Sequence, residues 1–134
     1  MKKLLIISLL TLLVFALTSC GDDTTGPKPP PPKTYNVTFV IDYGLHTSPF
    51  QFPSAVIILN NNQTKRNEYV EILDAKVSEG NSEEPIPQIR TFTINDVIEN
   101  IYTATVRSTG YQLHTTTDVN VRGTMKIRAN LKKE

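Results

Sequence analysis

This 134-residue sequence contains three side chains that can act as a nucleophile or a metal ligand and that change protonation state near neutral pH: one thiol and two imidazoles. The thiol belongs to Cys20, and the imidazoles belong to His46 and His114. A thiol is the side chain best able to act as a nucleophile near neutral pH, because a useful fraction of it ionises. Neither histidine belongs to a nucleophile–base or metal-ligand motif, so a zinc site would need the fold to bring the two together. The sequence therefore directs attention first to Cys20.

The residues before Cys20 change character in a set order. Lys2–Lys3 is positively charged, Leu4–Leu17 is an apolar run of 14 residues, and Thr18–Ser19 is small. This order is typical of a secretory signal, with a basic region, an apolar region and a small-residue cleavage region. A helix needs about 20 apolar residues to span a bilayer, so the run is too short for a transmembrane helix.

The last four residues of this segment, Leu17-Thr18-Ser19-Cys20, resemble the lipobox of bacterial lipoproteins. The resemblance implies diacylglyceryl transfer to the sulfur of Cys20, cleavage before Cys20, and acylation of the new amino terminus. The resemblance assigns residues 1–19 to a signal peptide and implies that lipid attaches the mature chain to a membrane. The expected location is the outer membrane of a bacterial envelope, on its periplasmic or surface face. Two or more acyl chains anchor a protein stably. The alternative is a plain secretory signal, or a single membrane anchor, with an incidental cysteine.

Residues 20–33 predict a linker. Gly21–Gly26 is small and polar, and five prolines lie within Pro27–Pro32. Prolines favour an extended polyproline II spacer, which at about 3.1 Å per residue holds a domain up to roughly 40 Å from its anchor. The acidic pair Asp22–Asp23 resembles a surface-export signal of lipoproteins, although it also suits a solvated tether. A proline-rich ligand for an aromatic groove of a partner is a further alternative.

Residues 34–134 predict one all-β domain, an Ig-like or prealbumin-like sandwich of about seven strands. Tyr35–Asp42 alternates, with Tyr35, Val37, Phe39 and Ile41 on the face expected to be buried, and Ser54–Asn60 is a continuous β-branched run. Asn67–Val77 fits either a strand or a helical stripe, and its β neighbours favour the strand. As a strand, it would place on one face Tyr69, Glu71, Leu73, Ala75 and Val77. Further short strands are predicted at Arg90–Asn95, Tyr102–Arg107, Thr115–Val121 and Thr124–Leu131. Tyr102, Ala104 and Val106 are expected to face the core, with Phe92 and Ile94 beside them. Glu79–Gln88 is expected to be an acidic loop, and Gly123 predicts a hairpin between the last two strands.

Three pieces of this domain resemble the carboxypeptidase regulatory-like, prealbumin-like family. They are Val40–Gly44 with Pro53–Val56, the phenylalanine strand Phe92–Val97, and the tyrosine strand Tyr102–Val106 with the corner Gly110–Tyr111. The chain departs from the family pattern before the phenylalanine strand, where Pro85–Gln88 replaces an Asp and a Gly, and at Asn100, where the family favours Gly. The resemblance implies a sandwich that supports, spaces or binds and has no catalytic role.

The stretch Tyr43–Pro53 concentrates aromatic side chains in one predicted connection between strands. Its candidate ligand-binding residues are Tyr43, His46, Phe50 and Phe52. Aromatic residues on loops of a rigid sandwich bury much area for little entropy, so this loop is the candidate contact for a carbohydrate or a peptide. The alternative is that Phe50 and Phe52 fold back and plug the end of the sandwich.

Charge and composition narrow the classes of function. Without residues 1–19 the chain carries 12 basic and 13 acidic side chains, with the two signs interspersed. This balance argues against nucleic acid as a partner, because nucleic-acid binding needs clustered positive charge. No cofactor, metal or catalytic residue is predicted, and Glu79, Glu83 and Glu84 fit a solvated loop better than a cation site. The expected protein is a lipid-anchored, non-catalytic structural or binding module with the membrane, and an envelope protein or glycan, as partners. An enzyme with a dispersed site is the remaining alternative.

Overall fold

The computed structural model of the chain describes residues 26–134. The predictions for the signal peptide and for Cys20 concern residues outside this range. Residues 26–33 are exposed and have no regular secondary structure, and a compact unit runs from Pro32 to Glu134. No helix long and apolar enough to cross a membrane occurs among the described residues.

The described chain is all-β, as predicted, and its nine strands form three sheets. The strands are β1 (Thr34–Ser48), β2 (Gln51–Phe52), β3 (Ala55–Asn61), β4 (Asn67–Leu73), β5 (Lys76–Val77), β6 (Ser82–Ile98), β7 (Asn100–Ser108), β8 (His114–Val121) and β9 (Met125–Asn130). One sheet has the order β6-β1-β9, with β1 antiparallel to β6 and parallel to β9. A second, antiparallel sheet has the order β4-β3-β7-β8, and β2 pairs with β5. The two larger sheets pack together as a sandwich.

Alternating side chains of the central strands fill the space between the two larger sheets. On β1, Val37, Phe39 and Ile41 are fully buried, which confirms the predicted inward face of this strand. On the opposite sheet, β3 contributes Ile57 and Leu59 in the same way. The remaining fully or almost fully buried core residues include Val97, Tyr102, Ala104, Val106, Val121 and Ala129. The predicted inward face of Tyr102, Ala104 and Val106 is therefore confirmed.

The two sheets meet at β4 and β6 through two tyrosines. The Tyr69 hydroxyl accepts a hydrogen bond from the backbone N–H of Ile98 at 2.9 Å. The Tyr102 hydroxyl lies 3.0 Å from the carbonyl oxygen of Ile98 and 3.1 Å from Oε2 of Glu68, and its single proton is shared between these two acceptors. Burial, and then the neighbouring Glu68 carboxylate, raise the pKa of Tyr102. The hydroxyl therefore stays protonated and remains a donor at neutral pH.

The segment Asn67–Val77 is a strand, as favoured, but only over part of its length. Tyr69, Glu71 and Leu73 of β4 turn towards the core, and Leu73 is buried. Ala75 and Val77, predicted on the same face, are exposed. The reason is that the chain leaves the sheet after Leu73 and forms the separate β2–β5 ribbon.

The predicted hairpin between the last two strands is wrong. β8 pairs with β7 in the four-stranded sheet, whereas β9 crosses to the other sheet and pairs with β1. Both strands have one buried face, with Val119 and Val121 on β8 and Ile127 and Ala129 on β9. Two strands paired within one sheet show this pattern, and so do two strands that face each other across a core. The alternation of buried residues therefore did not show which of the two arrangements β8 and β9 adopt.

The predicted acidic loop at Glu79–Gln88 is also wrong over most of its length. β6 begins at Ser82, because β1 continues to Ser48 and pairs with this part of β6. His46 lies opposite Ile86, and Ser48 lies opposite Ser82. Two prolines in this part of β6 are tolerated because β6 is an edge strand, where a missing backbone N–H costs no ladder hydrogen bond.

Phe39 on β1 and Phe92 on β6 differ in burial, so their truncation to Ala should lower the free energy of unfolding by different amounts. Phe39 is fully buried, while its partner across the sheet, Phe92, is only partly buried against the core. We expect Phe39→Ala to lower the free energy of unfolding by about 3–5 kcal/mol, and Phe92→Ala by about 1–3 kcal/mol. Urea unfolding measures both. Equal losses, or a larger loss for Phe92, would contradict the partial burial of Phe92 on the edge strand β6.

Candidate functional site

The stretch Tyr43–Pro53 is mostly strand, which corrects the predicted loop. β1 runs through Tyr43 and His46 to Ser48, and Gln51–Phe52 forms β2. The extension arises because β6 offers a pairing partner to this part of β1, and β5 offers one to β2. The connection between β1 and β2 is therefore a tight turn that contains Pro49 and Phe50.

Five aromatic rings from three parts of the chain meet at this end of the sandwich, and we call them the aromatic cluster: Tyr43, His46, Phe50, Phe52 and Tyr111. The Tyr43 ring lies at its centre, with ring centroids 5.3 Å from Phe52, 5.2 Å from Tyr111 and 6.0 Å from Phe50. Phe50 contacts Phe52 edge to face at 5.1 Å, and the His46 ring stacks on Phe50 at 4.4 Å. The structure thus brings all four predicted residues together.

Burial divides the aromatic cluster into two parts. The side chains of Tyr43, Phe52 and Tyr111 are 2%, 6% and 8% exposed, so they belong to the hydrophobic core. Burial, and then the nearby Tyr43, raise the pKa of Tyr111. Phe50 and His46 are only partly buried. The buried part closes the end of the sandwich, as the plug alternative expects, and only His46 and Phe50 present surface to a ligand.

Hydrogen bonds to backbone atoms hold the exposed part of the cluster in place. Nε2 of His46 lies 3.0 Å from the carbonyl oxygen of Tyr43, and the Gln88 side chain donates to the carbonyl of His46 at 3.3 Å. The backbone N–H of Phe50 donates to Oγ of Ser78 at 2.7 Å, and the N–H of Ser78 returns a bond to the Phe50 carbonyl at 2.8 Å. Because Gln88 is itself buried, these bonds fix both partly exposed rings on the domain.

Tyr111 is the member of the aromatic cluster that the sequence reasoning did not assign to the site. It follows Gly110, whose φ of +79° suits a glycine, so the chain turns sharply and the ring reaches back to Tyr43. The Gly-Tyr corner was visible in the sequence as a turn signal. Nothing in the sequence indicates which strand end that corner covers.

Two surface depressions lie close to this end of the domain. One, of about 370 Å³, is lined by the segment Arg107–Tyr111 together with Leu113 and Glu134. The other, of about 240 Å³ and almost wholly apolar, is lined on the outer face of the four-stranded sheet by Val56, Ile58, Thr105, Arg107 and Leu113. None of the four predicted contact residues lines either depression, but the first depression borders the aromatic cluster, because Tyr111 lines it.

The two histidines do not share a site. His46 lies on β1 and stacks on Phe50, whereas Nε2 of His114 on β8 lies 3.3 Å from Oγ1 of Thr116. Within residues 26–134 no three His, Cys, Asp or Glu side chains are arranged to hold a metal ion. Of the acidic residues considered for a cation site, Glu79 instead forms an exposed ion pair with Lys76 at 3.8 Å.

The burial of the aromatic cluster predicts the effect of removing its rings. We expect Phe52→Ser to lower the free energy of unfolding by about 3–5 kcal/mol, because it leaves a cavity and places a hydroxyl among apolar groups. Adding Phe50→Ser should increase the loss. Leu45→Ser, at a nearby side chain that is 65% exposed, is the matched control and should change stability by less than about 1 kcal/mol. A double variant that melts at the wild-type temperature would show that the rings do not plug the sandwich.

The comparisons with known proteins leave the family open. No protein-family model, no curated protein and no solved structure matches this chain. The resemblances to bacterial lipoproteins and to carboxypeptidase regulatory-like domains therefore rest on the quoted residues alone.

Proposed function

We propose that the chain is a lipid-anchored protein of a bacterial cell envelope, and that its β-sandwich is a non-catalytic structural or binding module. One observation carries the proposal, namely the order of segments around Cys20. A basic and apolar leader precedes the cysteine, and an extended, exposed stretch of residues 26–33 follows it and leads directly into β1. This order is the one needed to attach a folded domain to a lipid surface at a distance.

The exposed stretch supports the role of a tether. Residues 26–33 include five prolines, which favour an extended backbone even without contacts to the domain. The Lys33 carbonyl accepts a hydrogen bond from the N–H of Glu99 at 2.9 Å, at the point where β1 begins. The proline content and the exposure of this stretch therefore fit the role of a tether.

The aromatic cluster supports a scaffold role for the end of the domain at which β1 ends. Tyr43 and Phe52 are part of the core, and their neighbours His46 and Phe50 are fixed by backbone hydrogen bonds. A rigid end with two partly exposed rings fits a domain that presents a surface, because no rearrangement is needed before contact.

A second candidate function is binding of a carbohydrate or a peptide at the stacked pair His46 and Phe50. The observation that favours it is the 4.4 Å stacking of two partly exposed rings held at fixed positions. The test is a panel of glycans and extended peptides with the wild-type protein and His46→Ala. A ligand whose affinity falls in the variant, while the melting temperature is unchanged, would support this function. If no glycan or peptide of the panel binds the wild-type protein, this second function is excluded.

Attachment through Cys20 is tested directly by substitution. We expect Cys20→Ser to leave the protein unprocessed or to release it from the membrane fraction, because a hydroxyl does not replace the thiol as the lipidated nucleophile. Ser19→Ala is the control, since it keeps a small residue at the same place and should still be processed. Fractionation followed by a high-salt wash measures the result, and mass spectrometry detects the lipid. A Cys20→Ser protein that is cleaved normally and stays with membranes would refute the anchor.

A further inference from the structure

The strand β3 is apolar on both of its faces, although the domain buries only one of them. Its sequence from Ala55 to Leu59 contains no polar residue. Ile57 and Leu59 fill the core, whereas the outward residues Val56 and Ile58 remain partly exposed. A strand with one face in water normally alternates between apolar and polar residues, and a continuous apolar run is typical of strands covered on both faces. The outer face of β3 therefore carries apolar surface that the domain itself leaves uncovered.

The neighbouring strands extend this apolar surface across the four-stranded sheet. Val56 lies opposite Ile72 of β4 on one side and opposite Arg107 of β7 on the other. Side chains at paired positions of neighbouring strands project from the same face of a sheet, so these three form a row on the outer face. We call this row and the next one the outer strip, and the next row is formed in the same way by Val70, Ile58 and Thr105.

The outer strip is concave and small. The depression of about 240 Å³ lies over it, and Leu113, which is 57% exposed, lines the depression as well. The strip ends at the following row, which is polar, because Asn60 lies opposite Thr103 and donates a hydrogen bond to Asn67 at 2.9 Å. Two rows on three strands cover roughly 200 Å² of the sheet. A stable protein–protein interface buries about 800 Å² on each partner, so the strip has the size of a site for a small ligand.

One cation stands beside this apolar depression. Among the residues that line it, Arg107 alone is charged, and its side chain is exposed. The two ion pairs found within residues 26–134 do not involve Arg107. Glu134 lines the neighbouring depression together with Arg107 but forms no ion pair with it. A guanidinium binds a carboxylate through two parallel hydrogen bonds, and its aliphatic stem packs on apolar neighbours. The strip therefore favours a ligand that combines an apolar body with an anionic group.

The backbone beneath the outer strip has few hydrogen-bonding groups to offer a ligand. β3 and β7 are the two inner strands of their sheet, and each pairs with a neighbour on both sides. Apart from Arg107, the hydroxyl of Thr105 is the one polar side-chain group in the lining of the depression. A peptide lying there would remove its amide groups from water without providing them with partners, which is unfavourable. An alkyl chain has no such groups, and its burial is favourable for every methylene.

We propose that the outer strip binds a single-chain aliphatic carboxylate, with the alkyl chain over Val56 and Ile58 and the carboxylate on Arg107. The ligand is a free monomer, because the methylenes of a chain held in a bilayer are already covered by neighbouring chains. Binding is non-covalent and needs no rearrangement of the sheet. The strip lies on a different surface from the exposed rings His46 and Phe50, and the inference does not depend on the lipid anchor.

Methyl NMR of the full chain tests the proposal, with the protein in nanodiscs of a zwitterionic lipid so that no detergent competes for the strip. The probe is decanoate below its micelle concentration, with the free concentration measured. We expect saturable shifts of the methyl resonances of Val56, Ile58 and Leu113. Acetate, which lacks the chain, and decyltrimethylammonium, which carries the opposite charge, should each bind at least about tenfold more weakly than decanoate.

Substitutions separate the contribution of the charge from that of the apolar surface. Arg107→Gln removes the charge and should weaken decanoate binding about fivefold, whereas Arg107→Lys should retain most of the affinity. The matched control Arg122→Gln removes an exposed arginine elsewhere and should bind as the wild type does. Val56→Thr keeps the β-branched shape, places a hydroxyl in the strip and should also weaken binding. Thermal melting of each variant checks that the fold is kept.

Four results would overturn the proposal. They are methyl resonances of the strip that do not move with decanoate, equal binding of decyltrimethylammonium, an Arg107→Gln variant with unchanged affinity for decanoate, and tighter binding of a peptide of alternating Leu and Glu than of decanoate. The last result would show that the strip recognises a peptide and not an alkyl chain.

Discussion

The fold depends on the inward side chains of β1. This strand lies between β6 and β9, and its residues Val37, Phe39 and Ile41 have no exposed surface. Each of them therefore contacts the opposite sheet while the backbone of β1 holds its own sheet together. A break in this row would remove core contacts and expose two ladders of hydrogen bonds at once, because β6 and β9 have no other neighbour within the three-stranded sheet.

The candidate site continues this row and is inseparable from it. Tyr43 is the next inward residue of β1 after Ile41, and it places its ring at the centre of the aromatic cluster. Its hydroxyl lies 3.4 Å from Oγ of Ser108 on the opposite sheet. The Ser108 hydroxyl in turn donates a hydrogen bond to the carbonyl of Ser54. The rings that sequence reasoning assigned to recognition thus divide between the core and the surface, and stability constrains every change at this end of the domain.

Alternation within a strand was readable from the sequence, but the relation between strands was not. The inward faces of β1 and β7 follow from apolar residues at every second position, because burial on one face imposes that period. In β3 the apolar run is continuous, so the sequence did not distinguish the buried Ile57 and Leu59 from the less buried Val56 and Ile58. The crossing of β9 to the other sheet does not change its period, so the Gly123 turn was taken for a hairpin. Tyr111 joined the aromatic cluster through the same long-range geometry.

The parallel pairing of β1 with β9 has a consequence for the order in which the molecule can be made. The first and the ninth strands of the domain are neighbours, with Val37 opposite Met125, so the three-stranded sheet lacks one of its strands until nearly the whole domain has been synthesised. Contacts between distant parts of a chain also slow folding, because a long loop must close before they form. A nascent chain with this topology therefore lacks a finished core until residues 125–130 have been made and have paired with β1. The same pairing makes the two ends of the domain depend on each other, because loss of either terminal strand leaves the three-stranded sheet incomplete.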